Sequence, residues 1–392
     1  MGILPSQRHL FDLPPDLAYF NCAYMSPLSH RVVEAGHEGL DLKRTPWNIR
    51  PADFFASTDR SRAAFARLLG APATPNDVAL VPAASYGMAV AARNLPLAQG
   101  QRVLALAEEF PSTILTWRER ARATGAELVL LPRPDDLDWT RTVLEAIDER
   151  TAVAALPQVH WVDGATLDLA RIGARLREVG ATLALDLTQS LGALPHDLGR
   201  VDPDFLVAAC YKWLLGPYST GLLYVAPRWQ QGSPLEENWF GRLNSEDFSA
   251  LTDYRDGYQP GARRFDVGEP ANFALLPAAV AAVEQILEWQ IPAISETAGA
   301  LGDEIVSRGR SVGLTNPAGA LRAPHYVALR APADLPADLA GRLAENRIFI
   351  SIRGKTWLRI TPHVYNEPWE VDRLFEVLDS SFAGVRPVRS AS

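Results

Sequence analysis

The sequence predicts an α/β protein: a mostly parallel sheet covered by helices on both faces, followed by a small α+β domain. Three observations predict it. From about residue 75 to 230, short β-rich runs alternate with helical patterns, which is how βαβ units read. Those runs are almost continuously apolar, as expected of strands buried on both faces of a parallel sheet. After about residue 285 the pattern changes, and three strand-like segments are interleaved with helices.

Taken in order, DVALVP (77–82) reads as a strand and SYGMAVAARNL (85–95) as the helix after it. RVLALAEE (102–109) is the next strand, followed by a helix over PSTILTWRERARATG (111–125). ELVLLPR, TAVAALPQV and ATLALDLTQ are further strands, and the amphipathic helix DLARIGARLREVG (168–180) precedes the last of them. DFLVAAC (204–210) and GLLYVAP (221–227) complete the set. A helix at PAAVAAVEQILEWQ (277–290) then leads into AISETAGALGDEIVSRG. HYVALRA, RIFISIRG and WLRITP follow as strands, and EPWEVDRLFEVLDSSF closes the domain as a helix. The tail GVRPVRSAS is expected to be disordered.

Bulk properties bound the function. A chain of 392 residues has room for one large and one smaller domain. The net charge of −8 and pI near 5.5 leave no basic surplus for nucleic acid or an anionic membrane. No run approaches the ~18 uncharged apolar residues of a membrane span, and the first twenty residues lack the pattern of a secretory signal. Two cysteines, Cys22 and Cys210, are too few for a disulfide framework. The expected location is the cytoplasm. No cluster has metal-ligand spacing.

Lysine usage is more informative. Of 38 basic residues only Lys43, Lys212 and Lys355 are lysine. Arginine preference is commonly a codon habit, but a lysine kept in such a chain can do what arginine cannot: lose its proton when buried and attack a carbonyl.

Two apolar strands deliver charged groups to the same sheet edge. Asp186 ends ALALD, with Gln189 one turn beyond, and Lys212 follows DFLVAACYK ahead of a Gly-Pro turn. Ligands bind at that edge in open α/β sheets. Spacing leaves two readings open: a buried Asp–Lys ion pair that only ties strand ends together, or a pyridoxal 5'-phosphate (PLP) site. PLP needs an amine for its Schiff base and a carboxylate to keep the pyridine nitrogen protonated. Its phosphate suits a helix N-terminus. In AASYG (83–87) Ser85 reads as an N-cap with the N–H groups of Tyr86 and Gly87 free, although a plain cap without a ligand gives the same pattern. Phe110, just past RVLALAEE, is placed to lie against a planar ring or simply to pack.

The stretch 180–225 carries D-x-x-Q, then a lysine about two dozen residues on and a G-P-x-x-T-G turn. It resembles the class V aminotransferase family, the PLP fold-type-I group that includes cysteine desulfurases, kynureninases and isopenicillin N epimerase. The resemblance runs from YFNCAYMSPLS (19–29) to LRITPHVYNEPWEVDRL (358–374). It implies a large domain (31–284) with a mostly parallel seven-stranded sheet and a small α+β C-terminal domain (285–383). An N-terminal segment (1–30) would contribute to the small domain and the active site, and 384–392 would be the disordered tail.

Residue by residue, the resemblance implies that Lys212 is the Schiff-base lysine and Asp186 the partner of the pyridine nitrogen. Gln189 would face the phenolic oxygen. Ser85, with the N–H groups of Ala84 and Tyr86, would hold the phosphate, and Tyr211 would add its hydroxyl. EEFPS (108–112) is similar to the kynureninase element whose phenylalanine stacks on the ring, which nominates Phe110. Arg359 matches the arginine that forks onto the substrate carboxylate. The family is dimeric, and NWFG (238–241) and RRFDVGEPAN (263–272) match segments that cross over, which brings in Trp239 and Glu269. His160, in PQVHWVDG, is either an acid–base group beside the substrate or a hydrogen-bonding histidine behind it. His363 and Tyr365 flank a strand end, where substrate contact and packing are equally readable.

Departures narrow the reading. Neither cysteine lies in the small domain, which argues against a persulfide-type cysteine desulfurase. Thr113 and Gln189 stand where kynureninases have aspartate and histidine. Glu269 replaces the threonine of a G-T-P motif, and its carboxylate would repel a phosphate. The implied reaction is attack on a small amino acid, with Lys212 removing the Cα proton. Likeness to kynureninases and cysteine lyases favours lyase chemistry (C–S or Cβ–Cγ cleavage) over transamination or epimerisation. A catalytically silent PLP-fold scaffold or sensor is the alternative from another class. A nicotinamide dehydrogenase would need a G-x-G-x-x-G after an early strand, which the sequence lacks.

Overall fold

A computed structural model describes residues 2–382, so the expected tail over 384–392 lies outside the described residues. In chain order, a two-residue strand β1 (Ala18–Tyr19) precedes helices α1 (His30–Arg44) and α2 (Pro51–Leu69). The alternating region follows: β2 (Val78–Val81), α3 (Ala84–Asn94), β3 (Arg102–Leu106), α4 (Pro111–Thr124) and β4 (Glu127–Leu131). It continues with α5 (Trp139–Ala146), β5 (Thr151–Pro157), α6 (Leu169–Glu178), β6 (Thr182–Asp186), α7 (Leu198–Val201), β7 (Phe205–Ala209) and β8 (Gly221–Val225). Helices α8 (Leu275–Trp289) and α9 (Ile291–Ser311) lead to β9 (Val327–Arg330), α10 (Leu339–Glu345) and β10 (Ile348–Phe349). Strands β11 (Ser351–Arg353) and β12 (Trp357–Ile360) and helix α11 (Pro368–Phe382) complete the described chain.

Seven strands form the main sheet in the order β2-β8-β7-β6-β5-β3-β4. Only β8 runs antiparallel to its neighbours, pairing Val78 with Tyr224 on one side and Phe205 with Val225 on the other. Every residue of β2, β5, β7 and β8 is buried, because helices cover both faces. Helix α3 lies very close to the sheet: a Cβ on Gly87 would sit 2.5 Å from Val207 Cγ2 and 2.8 Å from its Cβ. Glycine is therefore what lets α3 settle onto β7.

The smaller sheet is β11-β12-β9, antiparallel, and its core joins Leu329, Leu358 and Ile360 to Ile305 of α9 and Phe375 of α11. Ala18 and Phe20 belong to that same apolar cluster. Strand β1 pairs in parallel with β10, and Arg8 binds the fully buried Glu370 at 2.8 Å. The expected domain boundary after 284 falls inside α8, which packs against α1 and α2.

Candidate active site

A cavity of about 440 Å³ opens at the carboxyl edge of the main sheet. The carboxyl ends of five strands meet there, bringing Ser85, Glu109, Trp161, Asp186, Lys212 and Ser219 around it. This follows from topology, since β2, β3, β5, β6 and β7 all end at the same edge.

Lys212 lies three residues past β7 in a tight turn, with Leu215 N donating to Lys212 O at 3.0 Å and Gly216 N to Cys210 O at 2.9 Å. Its Nζ is 5.5 Å from the Phe110 ring centre and 5.3 Å from that of Tyr211. Burial pulls the amine down to about 8; the Asp186 charge works against that shift, and the nearby Arg359 charge adds to it. Asp186 Oδ1 accepts from Thr188 N at 2.9 Å. Burial raises its pKa, opposed by the Thr188 hydrogen bonds and by Lys212. The two groups line one cavity without a direct ion pair between them, so the strand-tying reading of this pair is not the one the structure adopts.

The helix start differs from expectation. Ala83, not Ser85, is the N-cap of α3, and Ser85 is its second helical residue. Tyr86 N and Gly87 N both donate to Ala83 O, at 3.1 and 3.4 Å. The N–H groups left over in the first turn are those of Ala84 and Ser85. Tyr86 does not line the cavity; its hydroxyl is buried beside Glu236, which with burial raises its pKa.

Phe110 caps α4 and stands edge-on to Trp161, with centroids 5.6 Å apart. Gln189 lines the cavity with its amide anchored: Nε2 donates to Ala23 O at 3.2 Å, and Oε1 accepts from Trp213 Nε1 at 3.1 Å. Tyr211 also lines it, its ring 4.6 Å from that of Tyr218, and burial lifts its hydroxyl to about 12.

Other expected residues stand back. His160 is fully buried, with Nδ1 2.8 Å from Asp163 and Nε2 3.3 Å from Ala107 O. Both nitrogens face protein, so it is the hydrogen-bonding histidine of the two readings. Arg359 is buried behind the wall, donating to Trp161 O at 3.3 Å and Ser351 Oγ at 3.1 Å while its Nε has no partner. His363 is stacked between Trp213 and Tyr365 and packs rather than lines. Trp239 and Glu269 lie in a separate groove with Leu40, Lys43 and Phe54. Cys22 and Cys210 are fully buried, and burial raises both thiols, Cys210 to about 12.

Two cavity residues escaped sequence reasoning. Trp161 is fixed by a 2.6 Å bond from Nε1 to Glu108 O. Glu109 accepts from its neighbour Phe110 N at 2.6 Å through Oε1, while Oε2 is buried without a partner. Burial raises this carboxyl to about 6, against the pull of His160. The visible signal was an acid pair before an aromatic, at a strand's carboxyl end.

These residues fit PLP on their own chemistry. A buried amine with a depressed pKa, a buried carboxylate apart from it, and free helix-start N–H groups beside a serine hydroxyl open onto one cavity. Among the described residues no group of histidine, cysteine and carboxylate side chains is placed to hold a metal ion. No described helix is long and apolar enough to cross a membrane.

Comparison with known proteins agrees. A family model described as aminotransferase class-V matches residues 50–373. A kynureninase of Deinococcus radiodurans is 30% identical over 315 residues, covering 77% of this chain and 73% of its own. An uncharacterized aminotransferase of Bacillus subtilis, YcbU, is 27% identical over 352 residues, 89% of each chain. In fold, the chain superposes on the cystine C-S lyase C-DES, solved with its product cysteine persulfide. That match has a TM-score of 0.82 at 20% identity over 93% of this chain and 97% of that one.

Proposed function

The chain belongs to the class-V aminotransferase family, whose cofactor is pyridoxal 5'-phosphate, and on that premise we propose that it is a lyase acting on a small amino acid by C–S or Cβ–Cγ cleavage. The observation that carries the reading is the single cavity shared by Lys212, Asp186 and Ser85.

Bound PLP supplies an electron-withdrawing ring to which an amino acid's nitrogen can be joined. The chain's residues do the rest. Ser85 Oγ and the N–H groups of Ala84 and Ser85 would hold the phosphate. Asp186, a carboxylate in a dry site, would hold a proton on the ring nitrogen. Arg359, buried with a free Nε, would fork onto the substrate carboxylate and orient the Cα. Lys212 Nζ, with its amine drawn toward neutrality, would accept the Cα proton. Phe110 and Trp161 line the cavity.

Cleavage then needs an acid for the departing group, and Glu109 is a protonatable carboxyl on the wall. The kynureninase likeness supports lyase chemistry; the YcbU likeness supports transamination as the second reading. Persulfide-type desulfuration is disfavoured because both cysteines are buried and outside the small domain. A homodimer is part of the proposal, since the groove with Trp239 and Glu269 lies beside the exposed Leu40 and Trp47. So is a cytoplasmic location, supported by two free cysteines.

The test is visible absorbance of the PLP-supplemented protein beside Lys212→Ala. A band near ~420 nm, bleached by borohydride and absent from the variant, is expected. An amino-acid screen for keto acid, alanine and sulfide then separates cleavage from transamination. No band in the wild type would sink the reading, and a PLP-loaded protein that turns over no amino acid would favour a silent scaffold.

A further inference from the structure

Two arginines of the small domain stand beside the site with no carboxylate to neutralise them. In the β11–β12 pairing Ser351 faces Arg359 and Arg353 faces Trp357, while Ile352 faces Leu358. Side chains alternate along a strand, and Leu358 and Ile352 pack on the small-domain core. Ser351, Arg353, Trp357 and Arg359 therefore share the opposite face, which meets Trp161 and Val162 of the large domain. Both guanidinium carbons lie over the Trp161 ring, Arg353 at 5.6 Å and Arg359 at 5.9 Å, and Trp161 is itself a wall of the cavity.

The hydrogen bonds of these two arginines go to neutral groups. Arg353 donates to its neighbour Ile352 O at 3.0 Å, and Arg359 to Trp161 O and Ser351 Oγ. The Nε of each is buried without a partner. Arg133, which also lies over Trp357, shows the contrast: it is paired with Glu108 at 3.0 Å and Asp163 at 3.3 Å. Burial and then the Arg359 charge disfavour the charge on Arg353, and both guanidiniums act on Lys212. Arg359 is fully buried and Arg353 half-buried, and like charges held so close without a counter-ion are costly unless a ligand brings one.

The cofactor phosphate does not answer this need. Its cradle follows β2 and Trp161 follows β5, four places apart in the sheet, or about 19 Å at ~4.8 Å per strand. One substrate carboxylate fills one guanidinium fork, and Arg359 takes it. The second fork is then left for a second anion.

We propose that the substrate is an amino acid with an acidic side chain, whose distal anionic group is bound by Arg353 while Arg359 binds the α-carboxylate. This rests on the reading of the chain as a PLP enzyme acting on amino acids. Arg353 thereby sets specificity.

The experiment titrates the visible band of the PLP-loaded, full-length protein with L-aspartate against L-asparagine and L-glutamate against L-glutamine. In the wild type at least one acid is expected to bind about tenfold or more tightly than its amide, the scale of one charge-assisted hydrogen bond. Arg353→Gln is expected to bring that ratio within about twofold, and Arg353→Lys, a charge-keeping control for folding, to retain part of it. Equal wild-type affinities for acids and amides, or a preference that survives Arg353→Gln, would overturn the assignment alone. A band that no amino acid moves would overturn the amino-acid reading and this assignment with it.

Discussion

The indole of Trp213 donates to the side-chain oxygen of Gln189 at 3.1 Å, tying the residue after the lysine to the third residue after Asp186. Gln189 in turn reaches Ala23 O, and its own backbone oxygen lies 2.9 Å from His325 Nε2. The N-terminal segment, two strand ends and the small domain thus meet at one residue, Gln189. Trp213→Phe keeps a ring against His325 but leaves a buried oxygen unpaired, at a cost of about 1–3 kcal/mol. Denaturant unfolding should show that loss, and the cofactor band should shift, because Lys212 sits on the loosened turn. An unchanged band would mean that the indole only packs.

Cofactor capture should depend steeply on pH. With the amine at about 8, about 9% of Lys212 is neutral at pH 7, against about 0.03% of an ordinary lysine. Deprotonation rises with pH, so the rate at which apoprotein captures PLP should climb about tenfold from pH 7 to 9 and then level off. Stopped-flow absorbance measures it; a rate still rising tenfold per pH unit above 9 would show an unshifted lysine.

Glu109 should leave a mark on stability. Its folded pKa, about 6, is raised above the model-peptide 4.5, so the folded chain binds the extra proton. That contribution is complete below about 4.5 and is lost as pH rises through about 6. Between pH 4 and 7.5 the apoprotein should therefore lose about 2 kcal/mol relative to Glu109→Gln. Parallel unfolding curves of the two proteins across this range would contradict it.

Gly87→Ala should injure the cofactor site from beneath. The new methyl meets Val207 at 2.5 Å, and α3 must lift, carrying Ser85 with it. A stability cost of about 1–3 kcal/mol is expected, together with weaker PLP binding. Pairing it with Val207→Ala should restore both, which a general defect in folding would not allow.

The main sheet was legible because its strands are apolar runs, and each expected strand from 77 to 227 is present within a few residues of its predicted bounds. Lys212 was legible for a chemical reason, being one of three lysines, and Asp186 because a carboxylate ends an apolar strand. Helices α1 and α2 went unread; α1 buries only Val32 and Gly39, so its apolar stripe is faint. The cap of α3 was misplaced because serine's preference for N-caps was applied where the first-turn N–H groups face a cavity instead. Trp161 and Arg353 were invisible as site residues, since only the fold brings the loop after β5 to Lys212 and sets the β11–β12 face over Trp161; Glu109 left only the faint signal of an acid pair before an aromatic.

Strand β2, which leads into Ser85, pairs with β8 alone, and β1 waits for β10, joining Ala18 to Ile348. On a ribosome, the phosphate cradle must therefore stay unlatched until Gly221–Val225 has emerged, and the N-terminal segment until most of the chain is made. A cofactor that needs both edges of the site assembled adds its binding free energy only to the completed chain, so its stabilising effect arrives last in synthesis.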